Sequence, residues 1–160
     1  MSFLYREKVK AEWIDYNCHM QDAYYGLVFS YAVDAFQDTV GFDADYRQKT
    51  GCTIYLVEEH KYFLREVKEG DLLEIYIDLL AVTEKMFHLH CRMVSNAEEV
   101  AVSELVEMHV QQQPRPKGVI IPETILKKMK YYALAPEAQE DIARRSRSMS
   151  ITRQVGKAHE

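Results

Sequence analysis

Residues Trp13-Ile14-Asp15-Tyr16-Asn17-Cys18-His19-Met20-Gln21-Asp22-Ala23-Tyr24-Tyr25 gather an acid, an amide, a thiol, an imidazole and four aromatic rings between two regular patterns. Upstream, Val9, Ala11 and Trp13 alternate with Lys10 and Glu12, which predicts a half-buried strand that ends as Asp15 arrives. Downstream, Tyr25, Val28, Phe29, Ala32, Phe36 and Val40 recur at helical spacing, with Asp22 as a good N-cap and Gly41 as a good C′ residue. Asp15 therefore faces the start of a long apolar helix. Unpaired N–H groups there, with the positive end of the helix dipole, can hold a carbonyl oxygen as it becomes an oxyanion.

Beyond Gly51 the chain reads as strands. Ile54, Leu56, Tyr62 and Leu64 share a parity with Glu58, His60 and Glu66, which predicts one or two extended segments with Glu58 and His60 facing inward. Glu69-Gly70-Asp71 turns the chain, and Leu73, Ile75, Ile77, Leu79 and Ala81 then alternate as a strand with a core face. After Thr83-Glu84-Lys85, Phe87, Leu89, Cys91 and Met93 alternate with His88, His90 and Arg92, and a last long strand runs from Val100 to Gln112. Pro114 and Pro116 stop the ladder, and residues 122–131 and 136–149 predict two short helices. The order of strand, helix and antiparallel meander is an α+β arrangement in which a sheet can wrap one helix.

With 160 residues, 48% of them hydrophobic and 28% charged, the chain is read as one domain with a sizeable core. A net charge of −5 argues against nucleic acid as a partner. No apolar run approaches the ~20 residues of a membrane span. Cys18, Cys52 and Cys91 are an odd number without zinc-type spacing, which fits free thiols in a reducing cytoplasm.

The opening run resembles the aspartate motif of the 4-hydroxybenzoyl-CoA thioesterase-like branch of the hotdog-fold superfamily, Asp-x-Asp-x-x-Gly-His-Val-Asn-Asn-x-x-Tyr. Matching on the histidine puts the catalytic aspartate on Asp15, the histidine on His19 and the tyrosine on Tyr25, and the amide that polarises the thioester carbonyl on Asp22. Two positions depart: the first Asp is Trp13, and the Gly before the histidine is Cys18. Asp-Tyr-Asn-x-His-Met followed by Tyr-Tyr, together with Glu58-Glu59-His60-x-Tyr62-x-Leu64-x-Glu66, further resembles the betainyl-CoA thioesterases found beside or fused to carnitine dehydrogenases. The resemblance covers residues 5–115. It implies a hotdog domain over residues 1–118, with 119–160 as a C-terminal helical extension and tail, and an acyl-CoA as substrate. It also implies a homodimer or homotetramer, in which the strand carrying Glu58, Glu59 and His60 reaches the site across the subunit interface, where these residues either contact substrate or form a structural ion pair.

Each candidate has a structural reading beside the chemical one. Asp15 serves either as a turn carboxylate or as nucleophile or general base on a thioester. His19 orders the loop or contacts the thioester, and a Cys18–His19–Asp15 thiol triad is disfavoured because adjacent side chains rarely meet that geometry. Trp13, Tyr16, Tyr24 and Tyr25 fill core or cage a quaternary ammonium beside Asn17 and the acid. His88-x-His90 begins a metal site or faces solvent, and with no third ligand placed by local spacing no metal or cofactor is assigned. Arg115, Lys117, Arg144, Arg145 and Arg147 form a solvated face or clamp coenzyme A phosphates. A hotdog hydratase or dehydratase and a noncatalytic acyl-binding domain are the rival functions.

Overall fold

The chain, seen in a computed structural model that describes residues 1–146, builds one curled antiparallel sheet. Its strands are β1 (Phe3–Lys8), β2 (Cys52–Phe63), β3 (Leu72–Val82), β4 (Met86–Ser95) and β5 (Glu98–Gln111), with the short β6 (Lys117–Gly118) pairing β5. They lie in the order β1-β3-β4-β5-β2, so β1 and β2 end the sheet. Helix α1 (Asp22–Val40) spans 19 residues and buries Tyr25, Val28, Phe29, Ala32, Val33, Phe36, Gln37 and Val40. Gly41, at φ 113°, closes it with its N–H on the Gln37 and Asp38 carbonyls, a conformation that only glycine adopts cheaply.

The α1 stripe packs on the odd-numbered side chains of β3 and β4, where Leu73, Ile75, Ile77, Phe87, Leu89, Cys91 and Met93 are fully buried. Each large apolar side chain removed from water there contributes roughly 1.5–3 kcal/mol, which holds α1 in place. Helix α3 (Glu123–Lys130) adds Ile125, beside Gly41, and Met129 to the core, and Tyr132 sets its ring edge-on to Phe3 and Phe36.

Two local expectations are corrected, and one helix is added. The first strand lies at Phe3–Lys8, and Ala11–Trp13 is a single 3-10 turn closed by Trp13 N–H on the Lys10 carbonyl (3.0 Å) and Ile14 N–H on that of Ala11 (3.1 Å). Val9 and Trp13 are both buried, but a four-residue spacing satisfies a turn as well as a strand; exposed Ala11 tells them apart. Residues Ala44–Thr50 form a helix, α2, capped by the Asp43 carboxylate on Tyr46 N–H (2.8 Å) and ended by Gly51. In β2 the pairing with β5 slips at Val57, so the face parity flips there. Glu59, Lys61 and Phe63 pair with Leu105, Ser103 and Ala101 and share the α1 face, whereas Glu58 and His60 pair with Val106 and Glu104 and share the opposite one.

On that opposite face His88 and His90 are buried, not solvent-facing, because residues 141–146 cross over them. Helix α4 (Pro136–Glu140) stops short of the expected 149, and the chain then descends onto the sheet. The Glu104 carboxylate accepts from His88 Nε2 (2.8 Å), Arg145 Nε (3.0 Å) and Ser146 N–H. Burial pushes that carboxyl up, but the donors from His88, Ser146 and Arg145 outweigh it and bring it below the usual range. Arg144 pairs with Glu99 at 3.3 Å, so these two arginines are tied to the sheet; Arg147 lies outside the described residues.

Candidate active site

The loop from Asp15 to His19 is fastened at its mouth by the Ile14–Met20 bridge and by Asp15 N–H on the His19 carbonyl (2.9 Å). Inside it, Asp15 Oδ1 accepts from Asn17 N–H at 2.8 Å and from His19 N–H at 3.4 Å. One carboxylate oxygen is thus tied to loop amides while Oδ2 has no partner among the described residues. Outside the loop, Met20 N–H bonds the Val67 carbonyl and Gln21 N–H that of Trp13, both at 2.9 Å. The acid is therefore placed by a locked turn, not by a strand end.

Cys18 sits at φ 63°, and its N–H bonds the Asp15 carbonyl at 3.0 Å. A left-handed residue is what the turn needs, which explains glycine at this place in the motif it resembles. Cys18→Gly is expected to keep turnover and to raise stability by about 1 kcal/mol, read from activity and a thermal melt. Complete inactivation would instead restore the thiol-nucleophile reading.

Helix α1 opens differently from its sequence expectation. Gln21 is the N-cap and offers no side-chain bond; Asp22 is the first helical residue, and its Oδ1 accepts from Ala23 N–H at 2.9 Å. Gln21 N–H and Tyr24 N–H also have backbone partners, which leaves the Asp22 N–H unpaired among the described residues. At the positive end of a 19-residue helix, that donor is available to a carbonyl oxygen.

Asp15, Asn17, His19, Met20, Gln21, Asp22 and Tyr25 line one open cleft of about 360 Å³, whose other wall is Phe63, Leu64, Arg65 and Glu66 at the end of β2. Tyr25 couples the walls: its hydroxyl donates to the Arg65 carbonyl at 3.1 Å, and its ring meets Phe63 edge-on with centroids 5.6 Å apart. Burial raises the Tyr25 phenol, so the hydroxyl keeps its proton and its role as donor. Glu66 brings a third carboxylate into the cleft and stands 3.2 Å from His19 Nδ1.

Other expected residues stand elsewhere. Trp13 is buried and stacked on Tyr24 at 5.6 Å, with the Lys10 ammonium 4.8 Å above its ring. Tyr16 is 94% exposed, so these rings do not converge as a cage. Within one chain Glu58, Glu59 and His60 lie apart from the cleft: Glu59 binds Lys61 and Ser103 Oγ and lines a smaller cavity of about 90 Å³ with Asp34 and Glu107. Sequence reading missed Phe63, Arg65 and Glu66 as wall residues; they lie some forty positions from Tyr25, and only the pairing of β2 brings them back. Among the described residues no three His, Cys, Asp or Glu side chains gather as a metal site.

A curled antiparallel sheet carrying α1, with an acid-lined cleft at the first turn of that helix, is the architecture of a hotdog-type thioesterase. The chain belongs to the thioesterase-like superfamily, whose family model matches residues 9–145. It is similar to the betainyl-CoA thioesterase of Pseudomonas aeruginosa, 40% identical over 108 residues that cover 66% of this chain and 68% of that protein. The L-carnitine dehydrogenase/betainyl-CoA thioesterase of Agrobacterium fabrum is 38% identical over 108 residues; the match covers 67% of this chain and only 22% of that longer protein. Among solved structures, a putative thioesterase from Pseudomonas putida superposes with a TM-score of 0.73 at 28% identity, covering 98% of this chain and 99% of that one. A hypothetical protein from Staphylococcus aureus in complex with CoA gives 0.76 at 26% identity, over 82% and 84% of the two chains.

Proposed function

We propose that this protein hydrolyses a small acyl-CoA to the free acid and CoA, with betainyl-CoA as the preferred substrate. The observation that carries the reading is one cleft lined both by a carboxylate held by its own loop amides, Asp15, and by the residue with the unpaired helix-start amide, Asp22. The thioester carbonyl oxygen accepts from Asp22 N–H, and Asp15 attacks the carbonyl carbon or deprotonates the water that does. The tetrahedral oxyanion collapses and expels the CoA thiolate. A thiolate is a good leaving group, so the reaction requires neither a metal nor a redox cofactor.

A cationic acyl group suits the charge of the cleft. Asp15, Asp22 and Glu66 set three carboxylates against the single guanidinium of Arg65, and the exposed Phe63 ring offers aromatic surface to a trimethylammonium group that cannot donate hydrogen bonds. The names of the relatives from Pseudomonas aeruginosa and Agrobacterium fabrum support the same substrate.

The working unit in this reading is a homodimer or homotetramer in the cytoplasm. Strand β2 ends the sheet and leaves Leu56, Val57 and Phe63 more than half exposed, an edge that a second copy covers while bringing its Glu58, Glu59 and His60 toward the cleft. Residues 1–118 then form the hotdog domain around α1, and residues 119–146 seal the end of α1 and the outer face of the sheet. Among the described residues no helix is long and apolar enough to cross a membrane.

Thiol release from a panel of acyl-CoAs tests the reading. Betainyl-CoA is expected to exceed its neutral isostere, tert-butylacetyl-CoA, by at least about tenfold in kcat/KM, roughly 1.4 kcal/mol of differential binding of the charge. Equal turnover of the neutral analogue would remove the betaine assignment, and no turnover of any acyl-CoA would remove the thioesterase assignment.

A further inference from the structure

His19 has a buried ring nitrogen without a hydrogen bond. Its Nδ1 is closed to solvent and lacks an aligned partner, although the side chain as a whole is 27% exposed. The exposed part of the ring is therefore the opposite edge, which lines the cleft beside Asp15. The Glu66 carboxylate faces the orphan nitrogen with Oε2 at 3.2 Å. A buried ring nitrogen left unpaired is costly, and a small rotation of an exposed glutamate removes that cost.

We propose that Glu66 is a positioning residue that holds His19 with its Nε2 edge toward the departing sulfur of the substrate, a step that rests on the thioesterase reading above. Glu66 accepts the Nδ1–H and stabilises the imidazolium. As the carbon–sulfur bond breaks, its electron pair goes to sulfur, and the imidazolium Nε2–H passes its proton to that sulfur. The ring is left neutral with its remaining proton on Nδ1, against Glu66, and the Nε2 proton is regained from solvent. The products are the acid, or its Asp15-linked anhydride that water then opens, and the CoA thiol.

The surroundings single out Glu66 for this task. Asp15 is turned to the amides of Asn17 and His19, and the Asp22 carboxylate to Ala23 N–H, so neither engages the imidazole. The Arg65 guanidinium is drawn 3.3 Å from Glu98, away from Glu66. The backbone on either side of Glu66 is fixed without its side chain, by Tyr25 Oη on the Arg65 carbonyl and Met20 N–H on that of Val67. Truncating the side chain therefore leaves the loop in place.

The experiment uses two thioesters of one acyl group, a CoA ester and a nitrothiophenol ester, whose thiolate leaves without a proton. Glu66→Ala is expected to lower kcat on the CoA ester about tenfold more than on the aryl ester, while the lost carboxylate weakens binding of a cationic acyl group to the same extent in both. Glu66→Gln, which restores a neutral acceptor, falls between Glu66→Ala and wild type. His19→Gln combined with Glu66→Ala is expected to lose no more than His19→Gln alone, since both act through one proton. Equal losses on the two esters, or additive losses in the double variant, would overturn the proposal. Failure of the wild-type protein to cleave any acyl-CoA would overturn the thioesterase reading itself, and this step with it.

Discussion

Asp15→Asn is expected to lower acyl-CoA hydrolysis by about a hundredfold or more, at least roughly 2.7 kcal/mol of transition-state stabilisation. Asparagine keeps the Oδ1 acceptor that Asn17 N–H and His19 N–H use, so the loop and its Ile14–Met20 closure survive. It removes the charge needed for attack or for deprotonation of water, and with it both routes. An unchanged melting temperature beside a collapsed kcat is the signature sought. A variant that hydrolyses the best acyl-CoA at nearly wild-type rate would refute the role assigned to Asp15.

The second large effect lies in the interior. Glu107 is buried beneath α1, bonded by Gln37 Nε2 at 2.9 and 3.1 Å, and burial pushes its carboxyl from 4.5 to about 8, with Asp34 and Glu59 adding to the rise and Gln37 opposing it. The unfolded chain ionises this group near 4.5 while the folded one keeps its proton to about 8. Stability from this site is therefore complete below 4.5, declines as pH rises, and is lost above about 8, a change on the order of a few kcal/mol. Glu107→Gln is expected to abolish that decline and to raise the melting temperature at pH 8 by several degrees. Melts followed by fluorescence of Trp13, the single tryptophan, would contradict this if wild type and variant kept parallel pH curves.

What the sequence disclosed depended on whether a signal was local. The helical spacing from Tyr25 to Val40, with Gly41 behind it, and the alternation in Leu72–Val82 and Met86–Ser95 are fixed by neighbours in the chain, and the structure has them where the residues place them. Asp15, Asn17, His19, Asp22 and Tyr25 lie within eleven positions, so their gathering in one cleft was legible too. The face of β2 was not, because an extra residue at Val57 reverses parity midway and leaves Glu58 and His60 on the far side. The helix at Ala44–Thr50 had signals in Asp43 and Gly51 that were passed over. The burial of His88 and His90 had no local signal, since it depends on residues 141–146 returning across the sheet. Glu66 belonged to the same class: its parity suggested a strand, and only the docking of residues 64–67 on the aspartate loop puts it beside His19.

The most direct measurement is a crystal structure of the slow Asp15→Asn variant soaked with an intact acyl-CoA. The account predicts the thioester in the cleft between Asn17 and Glu66, its carbonyl oxygen about 2.7–3.1 Å from Asp22 N–H and its carbonyl carbon facing residue 15. An acyl group bound elsewhere, such as the cleft of about 380 Å³ beside His90 and Arg92 on the far side of the sheet, with the Asp22 amide left free, would contradict it.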